Sequence, residues 1–251
     1  MKKILLAGIM LMALVASSVA AEMTADDLVA KYLKATGGEQ NFRTVKSVMM
    51  KGSMFAQGQN VDLKIFTILP NKSLTQISMN NMVLQSIGVN GTDAWAMGMG
   101  GTFVLSGDQK KAAISQSEMF PLLDYKKKGA KVKFLGEDLV KGAKVLKLEY
   151  ASKDNDTTIY FLDGTTFLPV REKRGETVVS MSDHRKVGGL TFPFKISIQS
   201  ANGQMMTTLD TIAINPSVPD SLFVMPKDAK PMPDMSKPAA APDSTKGGGQ
   251  K

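Results

Sequence analysis

The chain of 251 residues carries a formal net charge of +8, contains one histidine and has no cysteine. The missing cysteines exclude disulfides, the usual zinc sites and a lipidated export signal, which is cleaved at a cysteine. No motif that combines aromatic and basic residues for nucleic-acid recognition is present, so no nucleic-acid partner is predicted; the dispersed lysines fit ordinary solubility, with attraction to anionic lipid headgroups as the alternative.

The first 21 residues have the composition of a signal peptide. Lys2 and Lys3 precede an apolar stretch, residues 4–16, that is too short to span a bilayer. Small residues follow, and we expect cleavage after Ala20 or Ala21. Loss of the two lysines would lower the formal charge from +8 to +6. We therefore predict export to the periplasm of a Gram-negative bacterium, with a retained membrane anchor as the alternative.

The mature chain is predicted to begin with a helix over residues 24–36. Thr24 can cap this helix, and Asp26 and Asp27 suit its positive N-terminal end. Gly37 and Gly38 are expected to end it. Its apolar residues recur at helical spacing and form a stripe for packing against a core. The stripe consists of Leu28, Val29, Tyr32 and Leu33.

Alternating polar and apolar residues then predict strands joined by hairpin turns. The turn dipeptides are Asn80-Asn81, Asn90-Gly91, Asp163-Gly164 and Asn202-Gly203. Strands are expected near residues 45–55, 61–69, 72–79, 82–89, 92–98, 102–105, 131–136, 143–151, 157–162, 167–173, 177–182, 190–199 and 204–214. Because no connection requires a parallel crossover, the sequence predicts a single antiparallel sheet.

The alternation is strictest in residues 190–199. Phe192, Phe194 and Ile196 point one way, and polar side chains such as Lys195 point the other. Several strands of this kind must either pack a solid core or line a cavity. The sequence leaves both interpretations open.

Residues 107–128 interrupt the strands with one or two short helices, broken near Pro121. Such a segment needs an apolar surface to lie on, and the concave face of the sheet would supply it. After Pro226 the composition is dominated by Pro, Ala, Lys, Ser and Gly. We therefore predict a folded domain over residues 22–226 and a disordered tail over residues 227–251.

Residues with catalytic chemistry are few. His184 lies in a predicted polar turn beside Asp183 and Arg185, where a solvated histidine is expected. Two carboxylate pairs in predicted turns keep a hydrolase open as an alternative. These pairs are Glu137 with Asp138 and Asp154 with Asp156. We predict that the protein is not an enzyme and needs no cofactor.

Methionine is unusually frequent, with 18 residues in the chain. The Met49-Met50 pair and the Met97-x-Met99 spacing raise a copper(I) site as one alternative. The methionines are dispersed over several strands rather than grouped in a repeated motif with histidine, so we predict no metal. Their flexible side chains are equally suited to a surface that adapts to variable apolar ligands and to ordinary core filling.

Several motifs follow one another along residues 22–226. They are Leu28-Val29-x-x-Tyr32-Leu33-x-x-x-Gly37-Gly38, Gly136-Glu137-x-x-x-x-Gly142, Asp163-Gly164 before Leu168-Pro169-Val170, Val187-Gly188-Gly189-Leu190-Thr191-Phe192-Pro193, Asn215-Pro216 and Asp220-Ser221-Leu222-Phe223-x-x-Pro226. Together they resemble the outer-membrane lipoprotein-sorting proteins, the LolA/LolB-like superfamily of periplasmic carriers.

The resemblance implies a mainly β fold of the α+β class, in which a strongly curved antiparallel sheet forms an open half-barrel and helices cover its concave face. It implies a carrier that binds acyl chains of lipoproteins or lipids and moves them toward the outer membrane, with inner- and outer-membrane transfer proteins as partners. We expect a monomer. The resemblance also implies a buried arginine near the lid, and the sequence does not single out one among Arg43, Arg171, Arg174 and Arg185.

A carrier of this kind would line its cavity with the apolar residues of one strand face. By alternation, the candidates for lipid binding are Met50, Met54, Leu63, Ile65, Trp95, Met97, Phe103, Leu146, Leu148, Phe192, Phe194 and Ile196. A shift of one residue in any strand would turn its side chains to the other face. The alternative function is a periplasmic interaction or sensor module that binds a protein partner with the same fold.

Overall fold

The structure is a computed structural model that describes residues 23–201 and 203–232. The predicted signal peptide lies outside the described residues, as does most of the predicted tail. Among the helices of the described residues, none is long and apolar enough to cross a membrane.

The described residues form three α-helices, α1 (Ala25–Ala35), α2 (Glu39–Thr44) and α3 (Gly107–Ser117). The predicted first helix and its cap are confirmed. The Asp27 amide donates to Oγ1 of Thr24 at 3.1 Å, and the Thr24 amide donates to the Asp27 carboxylate at 3.0 Å. This reciprocal capping box satisfies two backbone amides that the helix itself leaves unpaired. The positive φ angles of Gly37 and Gly38 then turn the chain out of the helix.

Within residues 23–201 and 203–232, fourteen strands form one curved, unclosed sheet, whose shape fits the predicted half-barrel. In chain order they are β1 (Ser47–Ala56), β2 (Gln59–Ile68), β3 (Lys72–Met79), β4 (Met82–Asn90), β5 (Asp93–Gly98), β6 (Gly101–Val104), β7 (Lys131–Val140), β8 (Ala143–Ala151), β9 (Thr157–Asp163), β10 (Pro169–Arg174), β11 (Thr177–Val187), β12 (Leu190–Ser200), β13 (Gly203–Ile214) and β14 (Lys230–Pro231). Their order across the sheet is β14-β6-β5-β4-β3-β2-β1-β13-β12-β11-β10-β9-β8-β7, and the β14–β6 pair alone is parallel.

Two meanders build this sheet and meet where β1 pairs with β13. The first meander runs from β1 to β6, and the second runs from β7 to β13. Strands β6 and β7 are consecutive in the chain but lie near opposite edges of the sheet. The segment between them, α3 followed by residues 118–130, must therefore span the width of the sheet.

Two strands continue through positions where the sequence predicts turns. A bulge at Gly136, whose φ is +86°, lets β7 run on to Val140, so Glu137 and Asp138 lie in a strand. A positive φ of 56° at Asp183 similarly lets β11 continue through His184. Gly136 thus lies in a bulge, which absorbs an extra residue without ending the ladder, whereas β11 keeps its register against β12 on both sides of Asp183.

The three helices contact one face of the sheet, which we call the helix face. Leu28 of α1 packs with Leu148 of β8, and Phe42 of α2 packs with Phe194 of β12. Helix α3 lies over β4 and β5 and has only partly buried or exposed residues. Two large apolar clusters therefore form under α1 and α2, and a small one forms under α3.

The C-terminal segment covers part of the opposite face. A 3₁₀ turn, Asp220–Phe223, contacts β3 and β4, and its Phe223 side chain is fully buried. Lys72 of β3 donates to the Asp220 carboxylate at 3.0 Å. The chain then adds β14 beside β6, which carries ordered structure past the predicted domain end at residue 226.

Trp95, the single tryptophan, packs on this opposite face against Gly88. A Cβ atom built on Gly88 would lie 2.2 Å from the indole ring. We expect Gly88→Ala to destabilise the protein by about 1–3 kcal/mol, because the indole ring must move out of a well-packed site. Denaturant unfolding followed by Trp95 fluorescence measures this loss.

Gly98→Ala is the matched control, because a Cβ at Gly98 meets nothing within 4 Å. Equal unfolding midpoints for Gly88→Ala and Gly98→Ala would show that the indole ring does not rest on Gly88.

Candidate functional site

Strand register decides which of the predicted lining residues share a face. Trp95 and Met97 point to the opposite face, because they pair with Gly88 and Ser86. The sequence-based face assignment of these two residues was therefore wrong by one position. The other ten lie on the helix face: Met50, Met54, Leu63, Ile65, Phe103, Leu146, Leu148, Phe192, Phe194 and Ile196.

The reversal in β5 follows from the helix above it. Ala94 and Ala96 take the helix face and pack near Ala113 and Ile114 of α3. Small side chains at these positions let α3 approach the sheet, whereas an indole ring would fill the space. Alternation alone favours the larger side chain as the inward one, so the sequence carried no signal for this choice.

Five of the ten helix-face candidates are buried under the helices or within the cores. Leu146 and Leu148 lie under α1 with Leu28 and Val29, and Leu148 is fully buried. Leu63, Phe192 and Phe194 are also buried, in the cluster that contains Phe42 of α2. In this structure these positions form solid core.

Residues 118–130, which we call the cover segment, join the two large clusters. Met119, Phe120 and Leu123 pack on the cluster under α2. Leu122 and Tyr125 belong to the cluster under α1. The Phe120 ring also meets the Phe42 ring edge to face, with centroids 4.8 Å apart. The cover segment thus contributes apolar side chains to both cores at once.

Exposed polar contacts fasten the cover segment to α1 and α2. Arg43 of α2 donates to both carboxylate oxygens of Asp124, at 2.8 and 3.0 Å, and also pairs with Glu39. Hydrogen bonding to Arg43 holds the pKa of the Asp124 carboxyl well below its usual range. Asp26 of α1 accepts from Tyr125 and Lys126.

Arg43 is the arginine that reaches this segment, and its side chain is 40% exposed rather than buried. Exposed ion pairs contribute little to stability, because water solvates the separated charges almost as well. The polar contacts of the cover segment are therefore cheap to break, and its apolar side chains supply most of its attachment.

A cavity of about 560 Å³ lies on the helix face beside the cover segment. We call it the central cavity. Tyr32 of α1 and Met119 and Pro121 of the cover segment line one side. The sheet supplies the remaining wall through Tyr160, Glu172, Arg174, Thr177, Val179, Ile198, Ser200 and Met205. Ser115, Gln116 and Glu118 complete the lining. Strand β12 thus contributes Ile198 and Ser200 to the wall, beyond the predicted Ile196.

Glu172 is the unusual member of this wall. Its carboxylate makes no hydrogen bond or ion pair within the described part of the chain, and it pairs across the sheet with Tyr160. Burial raises the pKa of Glu172 to about 7, and the charge of Arg174 opposes that rise. Burial also raises the pKa of Tyr160. Glu172 is thus a carboxyl group of the cavity wall without an ion-pair partner, whereas Glu118, which also lines the cavity, pairs with Lys128.

A smaller cavity of about 400 Å³ separates α3 from β3–β6. Ile87, Val89 and Leu105 line it from the sheet side, and Ala112 and Ala113 line it from the helix. Because every residue of α3 is at least partly exposed, this helix is held by few contacts.

Of the two predicted carboxylate pairs, Asp154 and Asp156 line a cavity of about 490 Å³ beside α3 and the cover segment, whereas Glu137 and Asp138 line none of the cavities described above. Glu137 pairs with Lys144 at 2.5 Å, and Asp138 pairs with Lys147 at 3.1 Å, along the edge strands. His184 packs in β11, and burial lowers its pKa. Glu137 and Asp138 therefore act as ordinary partners of neighbouring lysines.

No protein-family model and no curated protein matches the chain. Among solved structures, it is similar to a DUF1329 family protein from Desulfovibrio piger ATCC 29098, at 14% identity over 80% of this chain and 95% of that one, with a TM-score of 0.57. It is also similar to a domain from Vibrio parahaemolyticus assigned as an outer membrane lipoprotein-sorting protein, at 10% identity over 80% and 95% of the chains and a TM-score of 0.57. A LolA superfamily protein from Nitrosomonas europaea is 12% identical over 81% and 98%, with a TM-score of 0.54. The protein has a LolA-like fold.

The raised pKa of Glu172 makes folding stability depend on pH. The folded protein binds this proton more tightly than the unfolded chain, so the group disfavours folding above pH 7 and ceases to do so near pH 4.5. We expect Glu172→Gln to stabilise the protein at pH 8 by up to about 3 kcal/mol, and the gain to shrink toward pH 5.

Denaturant unfolding of both proteins at pH 8 and pH 5 measures the difference. Glu176→Gln, in the exposed β10–β11 turn, removes the same charge outside the cavity and serves as the control. An equal gain for the two variants at pH 8 would contradict the assignment.

Proposed function

We propose that the protein is a periplasmic carrier that binds acyl chains of lipoproteins or lipids on the helix face of its sheet. In this proposal the helix face is the concave face, and α1, α2, α3 and the cover segment form its lid. The central cavity carries the proposal, because apolar side chains such as Met119, Ile198 and Met205 line it and it lies directly beside a segment with weak polar attachments.

The energetics favour an exchange of apolar partners. Displacing the cover segment uncovers Met119, Phe120 and Leu123, and an acyl chain can take their place on the sheet. A chain gains about 0.8 kcal/mol for each buried methylene. A few methylenes therefore offset the loss of the exposed ion pairs, and the helix-face candidates such as Phe194 and Ile196 become the wall of the opened cavity.

The size and lining of the central cavity support this ligand class. Its volume of about 560 Å³ lies in the range of small-molecule sites. Met119 and Met205 are flexible enough to adapt to chains of different length. No covalent step is required, since loading and release need only the lid to open and close.

The rest of the proposal concerns the cellular setting. Residues 1–21 would be removed as a signal peptide, and the domain would act as a monomer in the periplasm of a Gram-negative bacterium. Inner- and outer-membrane transfer proteins would supply and accept the cargo. The structural likeness to LolA-like proteins supports the fold of such a carrier, and experiment must identify the cargo.

A fluorescent fatty acid titrated into delipidated protein tests the proposal. Ile198→Glu should weaken binding about tenfold or more, because a carboxylate in the cavity wall would lose water when the chain enters. Gln199→Glu adds the same charge at the next position, which is exposed on the opposite face, and should leave the affinity within about twofold.

Circular dichroism checks that both variants fold, and mass spectrometry of the untreated protein detects co-purifying lipid. Saturable binding that Ile198→Glu weakens selectively supports the carrier. The absence of saturable binding at high micromolar probe would overturn it and favour an interaction module that binds a protein partner.

Loosening the lid should speed ligand entry. Asp124→Asn removes the ionic part of the contact with Arg43, and asparagine tolerates the positive φ of 53° at this position. We expect probe association to become about two- to fivefold faster, in keeping with the small contribution of an exposed pair. Stopped-flow fluorescence measures the rate, and Asp62→Asn, at an exposed position of β2 on the opposite face, serves as the control. An unchanged association rate would show that this contact does not hold the lid.

A further inference from the structure

A second groove lies on the opposite face of the sheet, away from the central cavity. Its volume is about 580 Å³, and residues of β10–β13 form its floor. Val140, Lys141 and Ala143 of the β7–β8 hairpin form one rim. This groove combines positive charge and hydroxyl groups with its apolar surface.

Strand register places the polar residues in two rows across the floor. In the first row, Arg171 pairs with Ser180, Ser180 with Ser197, and Ser197 with Met206. In the second row, Ser182 pairs with Lys195 and Lys195 with Thr208. Directly paired residues hold their Cβ atoms about 4.5–5.5 Å apart, so each row presents its side chains side by side.

Arg171 has a hydrogen-bond donor that a ligand could use. Its Nε is buried and finds no hydrogen-bond partner among the residues that the structure describes. The guanidinium lies 5.8 Å from the centre of the Phe161 ring, which packs one of its faces. A buried donor without an acceptor is costly, and an incoming anion would supply the missing partner.

The acidic groups near the floor are already engaged. Oδ1 of Asp163 accepts from the Thr166 amide at 2.7 Å and from the Thr165 amide at 3.1 Å. Hydrogen bonds from the Leu139 amide and Lys147 lower the pKa of Asp138, which pairs with Lys147 at 3.1 Å. Asp183, which lies near Lys195, is bound by Arg185 at 2.6 Å. Arg171 and Lys195 thus face the groove without a salt bridge in the described ranges 23–201 and 203–232.

We propose that this groove binds a phosphate group. A guanidinium, an ammonium and four hydroxyls supply more donors than the two oxygens of a carboxylate can accept, whereas a tetrahedral phosphate accepts from several directions. Arg171 provides the forked contact, and Lys195 provides the second charge. The half-exposed Met206 in the floor, with Val140 and Ala143 in the rim, accommodates the organic part of a phosphate ester.

Thermal unfolding in inorganic phosphate, against chloride at equal ionic strength, tests the site. Phosphate should raise the unfolding midpoint of the wild-type protein, because a ligand that binds the folded state stabilises it. Arg171→Gln and Lys195→Gln should each weaken phosphate binding about tenfold. Lys195 is exposed, so its variant keeps the test valid if Arg171→Gln folds poorly.

Lys173→Gln is the matched control, because Lys173 lies on the same strand and face as Arg171 but outside the groove. Its phosphate shift should equal that of the wild type. No shift in phosphate, or the same loss in all three variants, would overturn the proposal in favour of diffuse charge.

Two further ligands separate the sources of the phosphate group. Binding of glycerol 3-phosphate without binding to phosphatidylglycerol vesicles identifies a soluble phosphate ester. Vesicle binding that Arg171→Gln reduces and Lys173→Gln does not identifies a lipid headgroup. Vesicle binding reduced equally by both would reject a headgroup site. Fatty-acid binding in the central cavity should be unchanged by Arg171→Gln, which keeps this proposal separate from the carrier function.

Discussion

The connection between β6 and β7 constrains the whole molecule. These strands lie twelve positions apart, so a flat sheet would separate them by roughly 58 Å at about 4.8 Å a strand. Helix α3 spans about 16 Å, and the fifteen other residues between them reach roughly 50 Å only when fully extended. Residues 121–129 are folded into turns, so the real reach is shorter. The sheet must therefore curve, and the connection must cross one of its faces.

This crossing explains why separate short pieces cover the helix face. The cover segment inserts Phe120 and Leu122 into two cores, but its polar attachments are exposed, as the pair of Arg43 with Asp124 shows. The central cavity survives beside it, because turns and a short helix cannot fill a curved surface as closely as a continuous helix can. Glu172 lines that space, and its burial there raises the pKa of its carboxyl group.

The two faces of the sheet carry different side chains. The helix face carries the two large apolar clusters, and Glu172 and Arg174 are among its charged residues. The opposite face carries Trp95 under the C-terminal segment at one end and the rows of Arg171 and Lys195 at the other. Because adjacent residues of a strand alternate between faces, a strand such as β12 serves the core with Phe194 and the outer groove with Lys195.

The sequence by itself determined the helix capped at Thr24, the antiparallel hairpins, the lack of cysteine chemistry and the inward face of β12, because each depends on neighbours along the chain. It did not determine the face of β5, since Ala94 and Trp95 are both apolar and only the approach of α3 chooses between them. The bulge that keeps Glu137 in a strand, the cavity around Ile198 and the cross-strand row of Arg171 with Ser197 also depend on pairing between distant segments. Only the tertiary structure decided these features, because pairing energy and packed volume are properties of residues that the chain brings together after long loops close.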